Sequence, residues 1–220
     1  MTILKGRPQM AQKSQPSNGK WVVLAVVAAI AAALLVAVVV GGGDEGSDTT
    51  NSLPGGDVLA KENQPVVIEG TILEPLGDEA IDPMVGQVAP TLNGATFDGS
   101  GVSVTPGDGQ AYMIVFLAHW CPHCNREVPR LIEWQASGAV PSELQVVGVS
   151  TAVASDRPNY PPSQWAVDKG WTWPMMADST SKEAAEAYGV SGYPFFVIVG
   201  ADGEVKVRVS GEVEIPALTQ

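Results

Sequence analysis

The sequence predicts an α/β domain carried behind one membrane-crossing helix, and three observations predict it. An apolar run at residues 112–117 leads into Cys121-Pro122-His123-Cys124, after which apolar residues recur at helical spacing. Further short apolar runs at 144–149 and 195–199 alternate with helical pieces. Near the N-terminus, residues 21–40 form a stretch of twenty residues with neither a charge nor a proline, the length needed to cross a bilayer core.

The charges are segregated along the chain. Of 12 basic residues, Lys5, Arg7, Lys13 and Lys20 precede the long apolar run, while all 24 acidic residues follow it. The remainder of the chain therefore carries a net charge of −16, a surface that repels nucleic acid and anionic headgroups. No nucleic-acid partner is expected. Residues 1–20 mix Gly, Pro, Ser, Gln and Lys without periodicity and read as a disordered cytoplasmic tail. The apolar run is too long for a cleaved signal peptide and has no polar face, so 21–40 reads as a transmembrane signal-anchor. Basic residues on its short N-terminal side put that end in the cytoplasm and the acidic domain outside the membrane.

Residues 41–63 are rich in Gly, Ser, Thr and Asp, a flexible acidic linker. Residues 64–81 contain an extra strand, with Pro65-Val66-Val67-Ile68 at its start, that precedes the main domain or pairs at its edge. The redox domain proper is read as 82–220. In it, 92–97 and 102–104 flank Asp98-Gly99 and form a hairpin. The helix after the cysteines runs to about Ser137, with Gly138 as its stop. Val128, Leu131 and Ile132 face the core, Arg126, Arg130 and Glu133 reach water, and Pro129 bends the helix.

Residues 144–149 make a short strand of the parallel type. A Pro- and Asn-rich loop (151–162), a helical piece (163–169) and a Trp-rich segment (171–178) follow. Trp165, Trp171 and Trp173 are packing residues first and a substrate-facing patch second. A helix over 182–188 ends at Gly189, and 195–199 with 205–209 form a closing β-hairpin. After Gly211 there is room for at most a short helix over 214–219.

Both cysteines of the chain lie in the one motif. A cysteine at a helix start meets unpaired N–H groups and the positive dipole end, which favour thiolate. Pro122 suits the first turn because its missing N–H would be unpaired anyway. On this reading Cys121 faces solvent and Cys124, one turn on, lies against the body. A haem attachment needs a His where Asn125 stands. A zinc site usually takes a distant second ligand pair, and the other candidates of that kind are His119 and His123, crowded into the same six residues. No cofactor and no resident metal are expected. A tethered protein that passes copper through His119, Cys121, His123 and Cys124 is the alternative to redox exchange.

The segment resembles the thioredoxin-fold thiol-disulfide oxidoreductases, and within them the membrane-anchored TlpA/ResA-like branch. Its pattern W-C-x-x-C-x-x-E-x-P is met by Trp120, Cys121, Cys124, Glu127 and Pro129, while Pro122-His123 is similar to DsbA-type oxidases. The resemblance implies a thioredoxin-like fold: a central mixed sheet flanked by helices, with an N-terminal β-hairpin and a central αβ insertion. It implies an enzyme in which Cys121 attacks and Cys124 resolves, in exchange with extracytoplasmic protein thiols or disulfides and with a membrane-embedded redox partner that recycles the pair. The direction of electron flow stays open.

His123 either stabilises the Cys121 thiolate or is a solvated loop-tip histidine, and His119 reads as exposed and unassigned. Glu127 is implied to be a partly buried proton acceptor for Cys124, its alternative being a solvated acid in the early helix. Val115 stands where classical thioredoxin has a buried aspartate, which leaves Glu127 as the acid available. Pro194 matches the cis-proline of the fold, with a plain trans proline as the alternative. Trp120, Tyr193 and Pro194 are the implied substrate-binding residues.

Overall fold

The computed structural model describes residues 61–215. The tail (1–20), the apolar run (21–40), the linker up to residue 60 and residues 216–219 of the short terminal helix lie outside these residues. Among the described residues no helix is long and apolar enough to cross a membrane.

Two sheets are present. Strands β1 (Val67–Glu69), β2 (Thr91–Ala95) and β3 (Gly101–Val104) form an antiparallel sheet in that order. The extra segment thus contributes only a three-residue strand, which pairs at the edge of the hairpin on either side of Asp98-Gly99. The main sheet holds β4 (Ala111–Leu117), β5 (Leu144–Ser150), β6 (Met175–Ala177), β7 (Phe195–Val199) and β8 (Val205–Ser210) in the order β6-β5-β4-β7-β8. β4, β5 and β6 are parallel, while β7 and β8 run antiparallel. This is the mixed sheet of a thioredoxin-like fold. Among the described residues three helices accompany it: α1 (Pro122–Ala136), α2 (Pro162–Asp168) and α3 (Glu183–Ala187).

The continuous apolar composition of β4 follows from its place at the sheet's centre, since a strand covered on both faces has no polar side to show. Tyr112, Ile114 and Phe116 pack with Leu92 and Val104 of the small sheet and with Ala184 and Tyr188 beside α3. Met113, Val115 and Leu117 pack on the other face with Val128, Leu131 and Trp134 of α1 and Trp165 of α2. Period two in the strand therefore sorts its side chains into two cores.

Proline 129 cannot donate to the carbonyl four residues back. That carbonyl, of Asn125, accepts instead from Nζ of Lys169 at 3.4 Å. Within β8, the guanidinium of Arg208 is fully buried and makes four hydrogen bonds: it donates bidentately to Asp82 at 2.6 and 2.8 Å and to the carbonyls of Glu74 and Tyr188. The Arg208 hydrogen bonds hold the Asp82 carboxyl below the usual carboxylate range and tie the stretch before β2 to β8 and to the end of α3.

Gly189 closes α3 with φ +66°, and a Cβ placed there would lie 2.2 Å from the Glu74 carbonyl oxygen. Both the left-handed backbone and the contact disfavour any side chain. Gly189→Ala is expected to lower unfolding stability by more than about 1 kcal/mol. Urea titration is the check, and an unchanged midpoint at constant slope would contradict this account.

Candidate active site

The site forms where β4 ends. The chain leaves Leu117, turns through Ala118-His119-Trp120, and Cys121 takes the N-cap position of α1 with extended backbone (φ −73°, ψ 123°) and no side-chain cap. Pro122 opens the helix, as its missing N–H permits. Asn125 closes the turn, its amide donating to the carbonyls of His119 (3.0 Å) and Cys121 (2.9 Å). Its own side-chain oxygen accepts from the Trp165 indole at 2.9 Å. Trp165 is buried in the core, and Trp171 and Trp173 pack against that core with their ring centroids 5.3 Å apart.

Cys121 does not face solvent as the sequence reading had it. Only 6 % of it is exposed, because the loop before β7 lies over it. The Cys121 thiol donates to the Tyr193 carbonyl at 3.4 Å, and the Tyr193–Pro194 peptide bond is cis. The Trp120 ring meets that of Tyr193 edge-on at 6.2 Å, and its indole N–H donates to the Ala152 carbonyl. The structure thus brings Trp120, Cys121, Tyr193 and Pro194 together at one surface.

Cys124 is fully buried one turn further on. Both thiols are free, and the two cysteines stand 3.8 Å apart, outside disulfide bonding distance. Burial pushes the Cys124 thiol well above the ordinary range, and proximity to Cys121 adds to the effect. A thiol so placed resists ionisation until it is needed and needs an acceptor for its proton.

Glu127 shares the buried face of α1 with Cys124, and its side chain is fully buried. Its oxygens accept from Arg130 at 2.9 Å and, at a long 3.5 Å, from the Val213 N–H, rather than from Cys124. Burial raises the Glu127 carboxyl above the usual carboxylate range, with the Arg130 charge opposing. The carboxyl therefore holds its proton closer to neutrality than an exposed glutamate would.

His119 is a correction: it is fully buried, not exposed. The Ala154 N–H donates to its Nε2 at 3.3 Å, which assigns the ring proton to Nδ1, and Nδ1 donates to the Pro158 carbonyl at 2.8 Å. A strand-end residue reads as exposed by alternation, but here the 151–162 loop folds back over it. With both nitrogens so engaged, His119 is not available to the metal-ligand set of the copper-passing alternative.

His123 is exposed at the rim, and its Nδ1 stands 2.6 Å from Oε1 of Glu212. Arg126 also reaches that oxygen, at 2.6 Å. Glu212 lies 89 residues from His123 in the chain, so no local spacing could have paired them. A second acid missed by sequence is Asp178, fully buried. It accepts from the Thr151 hydroxyl at 2.7 Å and from the N–H groups of Ser179, Ala184 and Ala185. Its carboxyl is raised by burial, against those hydrogen bonds.

Comparisons with known proteins bear on the family and the fold. Thiol-disulfide oxidoreductase ResA of Geobacillus thermodenitrificans (strain NG80-2) is 27% identical over 131 residues, covering 58% of this chain and 70% of the relative. A solution structure from Neisseria meningitidis, described as a thioredoxin, superposes with a TM-score of 0.50 at 27% identity, covering 60% of this chain and 85% of its own. A Chlorobium tepidum structure, described as the thiol:disulfide interchange protein DsbE, shares the fold with a TM-score of 0.52 at 21% identity, covering 62% and 93% of the two chains. Residues 85–208, more than half of the chain, match the model of the AhpC/TSA family, and the chain belongs to that family.

Proposed function

We propose that this protein is a membrane-anchored thiol-disulfide oxidoreductase whose Cys121–Cys124 pair exchanges with extracytoplasmic protein thiols or disulfides. The observation that carries the reading is the pairing of one thiol at a helix N-cap beneath the Tyr193 carbonyl with a second, deeply buried thiol one turn behind it. The likeness to the Geobacillus protein named thiol-disulfide oxidoreductase supports it. The twenty-residue apolar run and the basic residues before it support the anchor and its orientation.

In the reducing direction, the Cys121 thiolate attacks a substrate disulfide, forming a mixed disulfide and expelling one substrate sulfur as thiolate. Cys124 then loses its proton and attacks Sγ of Cys121. The mixed disulfide breaks, the second substrate sulfur leaves and takes up a proton, and the Cys121–Cys124 disulfide forms. Two electrons have passed from the protein pair to the substrate. In the oxidising direction the same bonds form and break in reverse order. Either way a membrane-embedded redox partner must restore the pair.

The contacts around the two sulfurs each have a part in this scheme by their position. The carbonyl of Tyr193, held next to Cys121, is placed to orient substrate main chain across the sulfur. Trp120 shields one side of it. Glu127 is the buried base for the Cys124 proton, delivered directly or across one water.

Cys121→Ser is expected to abolish exchange, whereas Cys124→Ser should accumulate a mixed disulfide through Cys121, read by non-reducing electrophoresis after thiol blocking. Equal loss in both with no trapped adduct would reverse or remove the assigned roles. Because the ionised form of Glu127 is the acceptor, the resolving step should speed up as pH rises through a titration lying above the usual carboxylate range. Glu127→Gln should remove that limb and slow resolution by about 10²-fold; stopped-flow release of the substrate thiol measures it, and an unchanged pH–rate profile would leave Glu127 with a structural part only. For the topology, protease added outside intact spheroplasts should degrade the redox domain, and full protection would refute the orientation.

A further inference from the structure

The rim cluster around Glu212 joins three charged or chargeable groups next to the redox pair. His123 sits between the two cysteines in sequence, and Arg126 is one helical turn further on. Glu212 comes from the segment after β8 and is half-buried between them, with 31% of its side chain exposed. Its Oε1 accepts from Arg126 Nη2 at 2.6 Å and Nε at 3.1 Å, and lies 2.6 Å from His123 Nδ1. Arg126 Nη2 also stands 2.8 Å from that same Nδ1. A guanidinium has no acceptor, so within the cluster a proton on Nδ1 can be given only to Glu212.

We propose that Glu212 is a positioning residue that gathers His123 and Arg126 into one shared ion pair, and thereby makes the Cys121–Cys124 disulfide a weaker oxidant than the Cys-Pro-His-Cys sequence alone would give. The inference deepens the oxidoreductase reading and rests on it.

The argument is one of charge. Hydrogen bonds from Arg126, then from His123, pull the Glu212 carboxyl down to about 2, so it is ionised throughout the working range. With Glu212 in place the cluster is neutral when His123 is neutral and singly positive when His123 is protonated. Without it, either state is one unit more positive. Arg126 is near enough to feel a charge on Cys121, and Arg157, stacked at 5.4 Å on Trp120, is a further cation on this side. Ionisation of the reduced pair at Cys121 puts a negative charge on that sulfur, whereas the disulfide form carries no charge there. A positive surrounding therefore stabilises the reduced form and makes the disulfide more oxidising, and Glu212 subtracts from that surrounding.

Geometry adds to charge. The carboxylate fixes the imidazole by Nδ1 and draws the guanidinium to itself, so neither cation is free to turn onto Sγ of Cys121. The neighbouring pair of Arg130 with Glu127 and Glu214 is separate, with Arg130 reaching Glu214 at 3.0 Å. Two acids of one short segment, Glu212 and Glu214, thus engage two arginines of α1.

The test is the equilibrium of the full-length protein with glutathione buffers, read by thiol alkylation, for the wild type, Glu212→Gln and Arg126→Met. Glu212→Gln is expected to shift the equilibrium constant toward the dithiol by about three- to tenfold, the effect of one screened surface charge, equivalent to about 15 to 30 mV. Arg126→Met should move it the opposite way, and both shifts should shrink in high salt. A loss of packing alone would not give opposite signs. No shift, or a shift toward the disulfide in Glu212→Gln, overturns the proposal while leaving the oxidoreductase reading intact. Failure of the wild type to interconvert dithiol and disulfide at all would overturn that reading and the proposal with it.

Discussion

Burial of β4 on both faces is the constraint on which the rest depends. A strand covered by the small sheet and α3 on one side and by α1 and α2 on the other has no freedom in register, because a slip of one residue would exchange the two cores. Its C-terminal end is fixed for the same reason, and Cys121 stands at the N-cap of α1, four residues after Leu117. The position of the first sulfur is therefore set by packing rather than by the loop that carries it.

Around that fixed point the structure spends polar groups on closure. Asn125, His119 and Trp120 each bind main-chain carbonyls or N–H groups of the 118–159 stretch. On the opposite side the loop carrying Tyr193 lies over Cys121. The result is a thiol that is almost enclosed, with the rings of Trp120 and Tyr193 in edge-on contact beside it.

The acids of the domain are divided by environment. Glu127 and Asp178 are buried and pushed up, while Glu212 and Asp82 are held down by arginine partners. An acid of the first kind, pushed up by burial, is the better suited to take and return a proton beside a buried thiol. The second kind acts as fixed charge, structural at Arg208 and electrostatic at the rim. Among the described residues Arg126, Arg130 and Arg208 each have a carboxylate partner, while Arg157 stacks on Trp120.

Strands β2 to β5, the motif helix and its stop at Gly138, α2 and the closing hairpin were legible in the sequence because each rests on local periodicity and turn chemistry, whereas the 171–178 segment read only as Trp-rich and its three-residue β6 rests on pairing with β5. So was the identity of the redox pair, since Cys-x-x-Cys at a strand-to-helix junction is a local signal. What the sequence could not give were the facts set by chain reversal. Cys121 and His119 are enclosed because loops 35 to 72 residues away return over them, and alternation along a strand end says nothing of what will cover it. Glu127 was read as open between buried and solvated, and only the packing of α1 against the segment at Val213 put it inside. Glu212 reached His123 through the path of the chain after β8. Local pattern determines elements because it acts within a few residues, whereas burial and charge pairing are properties of surfaces that meet only when the whole chain has folded.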